Sequence, residues 1–269
     1  MQTRIVDDDR NPHLKLLTVG NTIQSTVDIS DPTHLVDEYT QHLAILIDEV
    51  APPRRPLRVL HLGAGALVMA RYVAATRPGS YQQAVDTNPD LMDQVRRYAP
   101  LPRGVRVKVR LGDAREQLCA APDDCYDLII GDVYSGASIP KHLTTVEFLW
   151  EVARVLRPDG HYAANLCDGK NPRFSRGVAA ALSQVFGDCA MLAEPGVLHG
   201  RRFGNVVLFG SLDRLPIDRI RRRAAGSVFP CRVVHGSEYR NHCATAPTTD
   251  ATAIASPSPP DWIFHSDRR

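Results

Sequence analysis

The sequence has no uninterrupted apolar run approaching the ~20 residues that a membrane-spanning helix needs, and its first residues, MQTRIVDDDRNP, lack an apolar signal core. The expectation is a cytoplasmic protein with no membrane contact. An excess of charge of one sign is missing as well. Lys and Arg number 32 against 30 Asp and Glu, a formal +2, which leaves no broad electrostatic footprint for a nucleic acid or a membrane surface. Six cysteines (Cys119, Cys125, Cys167, Cys189, Cys231, Cys243) include no C-x-x-C pair, so neither a zinc knuckle nor a redox dithiol is expected, and no metal site. There is no internal repeat. What remains, at 269 residues and 43% apolar, is a chain long enough for one large α/β domain and an accessory piece.

The stretch from Leu57 to Asp86 organises the rest. Leu57 to Leu62 is a short apolar run ending at Gly63-Ala64-Gly65, an apolar-periodic segment follows from Leu67 to Ala75, and a second run, Tyr81 to Val85, ends on Asp86. Strand, glycine turn, helix and strand make a βαβ unit whose first turn suits a nucleotide-like ligand: glycines admit the backbone, a helix N-terminus offers free N–H groups, and the acid accepts from ribose hydroxyls. The third glycine of a dinucleotide fingerprint is absent, its place taken by Val68. A plain tight turn is the alternative.

Before this unit, Leu14 to Val19 and Thr22 to Ile29 flank Gly20-Asn21 as a hairpin, and Ser30-Asp31-Pro32 predicts the start of a helix reaching Val50. After it, the pattern predicts helix Pro89 to Tyr98, strand Val105 to Leu111, helix Ala114 to Ala120, strand Tyr126 to Asp132 and a Gly/Ser loop from Tyr134 to Leu143. Thr144 with Glu147 reads as a capping box for the next helix. Strand Tyr162 to Leu166, helix Ser175 to Phe186 and strands Cys189 to Ala193 and Phe203 to Phe209 complete the core. Near-continuous apolar strands alternating with helices predict a doubly wound, mostly parallel, Rossmann-like sheet with a small N-terminal β-hairpin region. The arginines of the short helix Ile217 to Ala225 grip phosphate or form a solvated face. The expected divisions are 1–50 (hairpin and linking helix), 51–225 (nucleoside-binding domain) and 226–269, an extended tail with Trp262 and Phe264 as anchors.

Acids recur at the carboxyl ends of successive strands: Asp86, Asp113 and Asp132. Ligands of open α/β sheets sit at that edge. Asp113, followed by Glu116, is equally an N-cap, whereas Asp132, directly behind Leu128, Ile129 and Ile130, must be hydrated in a cleft or paired. A dinucleotide needs one acid; a nucleoside with a sulfonium substituent uses three, over Gly63 and Gly65, with Asp86 on the ribose and Asp113 at the adenine amino group. An S-adenosylmethionine-type ligand follows. His61, within the first strand, reads as a packed histidine; His142 is either a partner of the Asp132 loop or a solvated loop residue.

The segments VLHLGAG, AVD, LGDAREQL, YDLIIGDVYSGASIP, HLTTVEFLWEVARVLRPDGHYAANL and LLTVGNTIQSTVDISDPTHLVDEY together resemble the spermidine synthase (polyamine aminopropyltransferase) family over roughly residues 4–210. The resemblance implies a small β N-terminal domain on a class I methyltransferase-type fold, a homodimer, and aminopropyl transfer from decarboxylated S-adenosylmethionine to an amine, with no permanently bound cofactor. It carries over to Gly63 and Gly65 as the nucleoside loop, Asp86 and Asp113 as ribose and adenine acids, Asp132 as the first acid of a D-x-x-D loop, and Gln24 and Tyr39 as donor and acceptor contacts. Two positions depart from the pattern: Ala66 stands where the loop carries an aspartate for the donor's amine, and Ser135 where D-x-x-D has its second acid.

An acceptor amine is protonated at neutral pH, with a pKa near ~10, so Asp132 is the candidate base and Tyr134 the residue that orients the amine. Asp168 is a further acceptor candidate or a turn residue before Gly169. Two alternatives stay open: a methyltransferase using ordinary S-adenosylmethionine on a small molecule, and a nucleoside-binding protein that works by association.

Overall fold

The computed structural model describes residues 3–19 and 22–260. The Gly20-Asn21 turn and the aromatics Trp262 and Phe264 lie outside the described residues. No helix among those described is long and apolar enough to cross a membrane.

Strands β1 (Thr3–Asp7), β2 (Leu14–Val19) and β3 (Thr22–Asp28) form an antiparallel sheet in that order. The β2–β3 pair is the predicted hairpin. β1 is additional; its alternation is five residues long and runs into Asp7, Asp8 and Asp9, too brief to stand out. In the β2–β3 ladder Leu17 faces Ser25 while Thr18 faces Ile23, so Gln24 is a bulged residue. A bulge turns its strand locally, and as a result Ile23, Gln24 and Ser25 all reach the same cleft.

Helix α1 (Glu38–Glu49) starts later than the Ser-Asp-Pro signal predicted. Short polar side chains hold residues 28–33 in turns: Asp28 accepts from the Ser30 and Asp31 N–H groups and from Ser30 Oγ, and Asp31 accepts from the Thr33 N–H and hydroxyl. Such local bonds compete with helix formation.

The second sheet has eight strands. In chain order the elements are β4 (Arg58–Leu62), α2 (Val68–Thr76), β5 (Tyr81–Asp86), α3 (Pro89–Tyr98), β6 (Val107–Leu111), α4 (Ala114–Cys119), β7 (Tyr126–Gly131), α5 (Val146–Val155), β8 (Leu156–Asp168), α6 (Arg173–Val185), β9 (Asp188–Ala193), α7 (Pro195–Leu198), β10 (Gly204–Ser211), α8 (Ile217–Ala225), β11 (Arg232–His235) and α9 (Ser237–His242). Their order across the sheet is β11-β9-β10-β8-β7-β4-β5-β6. The run β6-β5-β4-β7-β8 is parallel; β10 joins β8 antiparallel, and β9 and β11 continue antiparallel. Both faces are covered: Val59, Leu128 and Ile130 pack into one apolar layer, and Leu60, Leu62 and Ile129 into the other. That is why these strands read as continuous apolar runs.

The chain winds from β4 outward to β6 and then returns to place β7 on the other side of β4. This reversal opens a crevice at the carboxyl ends of β4 and β7.

Two local expectations differ, the α5 cap and the tail, while the arginines of α8 form the exposed face expected, with two of them also paired to α1. α5 is capped by Thr145, whose hydroxyl accepts from Phe148 N, while Thr144 instead donates to Lys141 O. Arg219 and Arg223 of α8 pair with Glu49, and Arg223 also with Asp48, pinning α8 to the end of α1. Residues 226–260 are not simply extended: β11 pairs with β9, because Val233 and Val234 offer apolar side chains to an open edge, and α9 packs behind it with Tyr239 buried.

Candidate active site

Gly63 lies at the mouth of the crevice. Its φ of +87° is left-handed backbone, and a Cβ there would fall 2.1 Å from the Asp132 carbonyl oxygen. Only glycine lets the β4 turn pass this close to the end of β7. Gly63 N donates to Val85 O and Asp132 N to Leu62 O, which extends both ladders to the edge of the cleft. Gly65 also has positive φ, +47°, with open space beside it. The buried Arg71 guanidinium steadies the turn from behind, donating to the carbonyls of Ala66, Ala99 and Pro100. Sequence reasoning passed over Arg71, whose place inside an apolar helical stretch was the available signal.

The cleft measures about 920 Å³ and contains Gly63, Gly65, Asp86, Asp113, Asp132, Tyr134, Ser135, Gln24 and Tyr39 among its walls. At the glycine-loop end, Asp86 accepts from Ala64 N at 3.0 Å and from Asn88 N at 2.9 Å. Asp113 caps α4 through bonds from the Arg115 and Glu116 N–H groups, and its other oxygen meets His142 Nε2 at 2.8 Å. Burial works to raise its pKa, but the His142 bond and the helix N–H groups outweigh that and hold it below the usual carboxylate range. The cap and the cleft positions of Asp113 therefore coexist. His61 is buried, bonded to Gln82 Oε1 at 2.9 Å and pushed down to about 4 by desolvation, so it is a neutral packing residue.

Asp132 anchors the other end. Asn165 Nδ2 donates to Asp132 Oδ1 at 2.9 Å, and Asn205 Nδ2 donates to Asn165 Oδ1 at 3.0 Å, a relay across β8 and β10. Desolvation pushes the Asp132 carboxyl up to about 6, assisted by the charge of Asp37 and opposed by hydrogen bonds from Asn165 and Tyr39. Tyr134 donates its hydroxyl proton to Cys167 Sγ at 3.1 Å. The oxygen keeps lone pairs with which to accept from a ligand N–H. Burial drives the Cys167 thiol up to about 12, so it stays protonated.

Two acids reach this end from the start of α1. Asp37 is turned toward the N-terminal sheet, accepting from Thr26 N at 2.7 Å, and Glu38 lines the cleft with its pKa raised by burial. Asp37, Glu38, Asn165 and Asn205 were missed in the sequence. An amide inside the apolar strand around Ala164 was a usable signal for Asn165; nothing marked Asn205.

Asp168 is not brought to the cleft. It is 2% exposed and accepts from Gly169 N and Ser175 N, closing the turn into α6. The turn alternative is the one observed, because the first N–H groups of α6 have no carbonyl partners and the carboxylate supplies one. Ser135 lies on the cleft wall, its backbone paired to Ser138.

In sum of charge the cleft is lopsided: among the described residues its lining includes five carboxylates (Asp37, Glu38, Asp86, Asp113, Asp132) and one guanidinium, Arg202. Arg202 is itself engaged with Glu194 at 3.4 Å.

No protein-family model matches the chain. Among solved structures it is similar to a probable spermidine synthase from Corynebacterium glutamicum ATCC 13032, with a TM-score of 0.82 and 30% identity over 96% of this chain and 95% of that one. A spermidine synthase solved with the transition-state analogue AdoDATO shares the fold at a TM-score of 0.55, with 16% identity over 90% of this chain and 83% of that chain. A polyamine aminopropyltransferase of Vibrio vulnificus (strain CMCP6) is 29% identical over 164 residues, 60% of this chain and 52% of the relative; the match thus spans about half the length of that protein. With 30% identity over 96% of this chain and 95% of the Corynebacterium glutamicum protein, the chain belongs to the spermidine synthase family.

Proposed function

We propose that the protein transfers an aminopropyl group from decarboxylated S-adenosylmethionine to a small amine. The observation that carries this reading is the charge of the cleft: five carboxylates against one engaged guanidinium suit a sulfonium donor and an ammonium-bearing acceptor, since buried cations need anionic partners. In this reading the adenosine lies over Gly63 and Gly65, with Asp86 on the ribose hydroxyls, Asp113 at the adenine amino group and Gln24 at the donor's far side. The amine sits between Asp132, Tyr134 and Tyr39, with Ser135 at the rim.

The chemistry is an in-line displacement. The amine nitrogen forms a bond to the propyl carbon beside sulfur, the C–S bond breaks, and its electron pair leaves on methylthioadenosine as the sulfonium becomes a thioether. The proton lost by the amine passes to Asp132. An ordinary carboxylate is a poor match for an amine with a pKa near ~10; at about 6 Asp132 is closer, yet still ionised at pH 7.5. Asn165 holds the carboxylate in place, and Tyr134, its proton committed to Cys167, accepts an amine N–H. Alignment of the two reactants supplies a further share of the acceleration. The acceptor's remote ammonium has Glu38 on the cleft wall, which offsets the loss of an acid at Ser135.

A second reading, methyl transfer from ordinary S-adenosylmethionine, is favoured by one observation: Ala66, 1% exposed, puts no acid in the glycine loop to repel that donor's own carboxylate. Thermal-shift titration separates the two, because a ligand that binds the folded state raises its melting temperature. Larger shifts with decarboxylated donor and methylthioadenosine are expected; larger shifts with S-adenosylmethionine and S-adenosylhomocysteine would favour the second reading, and no shift with any would leave neither. The proposal includes a cytoplasmic homodimer, to be checked by sedimentation.

A further inference from the structure

Residues 244–260 contain neither helix nor strand, yet they are tied down at successive points along the carboxyl edge of the large sheet. Thr248 N donates to Gly177 O in α6, and Thr248 O accepts from Val146 N at the start of α5. Two residues on, Asp250 accepts from both terminal nitrogens of Arg115 at 2.8 Å and from Thr145 Oγ1 at 2.7 Å, while its own N–H donates to Glu147 Oε2 at 2.9 Å. Six residues later Ser256, 5% exposed, accepts on Oγ from Ile139 N at 2.8 Å. Pro259 then forms part of the cleft wall.

These ties converge on the parts of the fold that carry the site. Arg115 opens α4 beside Asp113, donates its N–H to the Asp113 carboxylate, and also reaches His142 O, while His142 bonds the second Asp113 oxygen. Thr145 ends the loop that begins at Asp132, and Ile139 lies in the middle of that loop, between Tyr134 and the cap of α5. The bidentate, charge-assisted Arg115–Asp250 pair fixes orientation as well as distance. A buried N–H such as that of Ile139 left without an acceptor is costly, so Ser256 holds the loop in one position.

We infer that residues 248–259 form a strap that belongs to the active site, with Asp250 and Ser256 as positioning residues: Asp250 sets the Asp113–His142 pair at the nucleoside end through Arg115, and Ser256 sets the 133–140 loop that carries Tyr134 and Ser135. The inference rests on the proposed nucleoside-binding reading of the cleft. It gives the chain segment beyond the sheet a role in substrate capture, where its sequence promised only Ala, Thr, Ser and Pro.

The test uses the full-length chain with Asp250→Asn and Ser256→Ala, methylthioadenosine as the probe, and calorimetry well below each variant's melting temperature. Affinity for methylthioadenosine is expected to fall about tenfold for Asp250→Asn and about fivefold for Ser256→Ala, the range set by one or two lost polar contacts. Asp250→Glu should recover part of the loss, and KM should rise more than kcat falls. Affinities and KM within twofold of the unmodified protein, alongside a lowered melting temperature, would make the strap a stabilising feature only and overturn the inference. Should Asp250→Asn fail to fold, Ser256→Ala decides alone. Should the unmodified protein bind no methylthioadenosine, the functional reading fails separately; hydrogen exchange then decides, since Ser256→Ala must accelerate exchange at Ile139 and across 133–140 if the strap holds the loop, and unchanged exchange overturns it.

Discussion

At the glycine-loop end of the cleft the two acids, Asp86 and Asp113, each stand in a turn directly after a strand, as do Gly63 and Gly65. At the Asp132 end the polar side chains come from a bulge at Gln24, the start of α1 at Asp37 and Glu38, the end of β7, and the facing strands at Asn165, Cys167 and Asn205. The first end is a property of one repeated unit, strand followed by helix, with its acids already bonded to backbone N–H groups. The second is assembled from five distant segments, and its central carboxyl is pushed up to about 6 because burial outweighs the hydrogen bonds it receives. A pre-satisfied end suits holding a ligand that does not change; an end with a perturbed carboxyl suits moving a proton.

Asp132→Asn should break the Asp132 end most severely. Turnover is expected to fall by about 10²–10⁴-fold, the usual range for a general base, with methylthioadenosine affinity within twofold, measured by steady-state kinetics and calorimetry. The same variant reports on stability with a definite sign. Asp132 has its pKa raised by folding from 3.8 to about 6, so the neutral form is favoured in the fold; that contribution is complete below the unfolded pKa and is lost as the pH rises through about 6. At pH 7.5 the Asn variant should therefore be more stable to denaturant than the unmodified protein, and the advantage should vanish below pH ~4. A variant less stable at pH 7.5 contradicts the assigned burial.

Gly63→Ala is the matching break at the other end. The added methyl would stand 2.1 Å from the Asp132 carbonyl at a φ of +87°, so the β4 turn must move. A loss of about 2–4 kcal/mol in denaturant unfolding and a weakening of methylthioadenosine binding by more than about tenfold are expected. An unchanged affinity would mean that the turn does not seat the nucleoside.

This contrast also accounts for what the sequence made legible. A glycine turn, an acid after a strand and an N-cap such as Asp113 are local signals, so the glycine-loop end and the order of strands could be read directly. Asp37 carried no such mark, because its place in the cleft depends on a helix that begins at Glu38 and not near Pro32, and the delay arises from the Asp28 and Asp31 turns. Asn205 depends on β10 lying next to β8, a pairing between segments forty residues apart. Asp168 went the other way: its position behind a strand resembled the three site acids, but the chain turns at once into α6 and uses the carboxylate to satisfy that helix.

Two smaller effects are expected at Asn165 and Asp168. Asn165→Leu removes the bond that lowers the Asp132 pKa, so the acidic limb of kcat/KM, expected near pH 6, should move to higher pH, and activity at pH 7 should fall by about tenfold per pK unit once the limb passes that pH. A limb that stays in place would detach the relay from catalysis. Asp168→Asn should cost about 1 kcal/mol in unfolding free energy, the size of a lost cap, and leave every KM within twofold; a raised acceptor KM would return Asp168 to the amine site.

The most direct test of the central claim is a product assay by mass spectrometry with decarboxylated S-adenosylmethionine and putrescine, spermidine and cadaverine supplied in turn. The account predicts that at least one amine gains an aminopropyl group in equal amount with methylthioadenosine, and that Asp132→Asn makes neither. Methylated product with S-adenosylhomocysteine when ordinary S-adenosylmethionine is supplied, and no aminopropylated amine in any mixture, would contradict it.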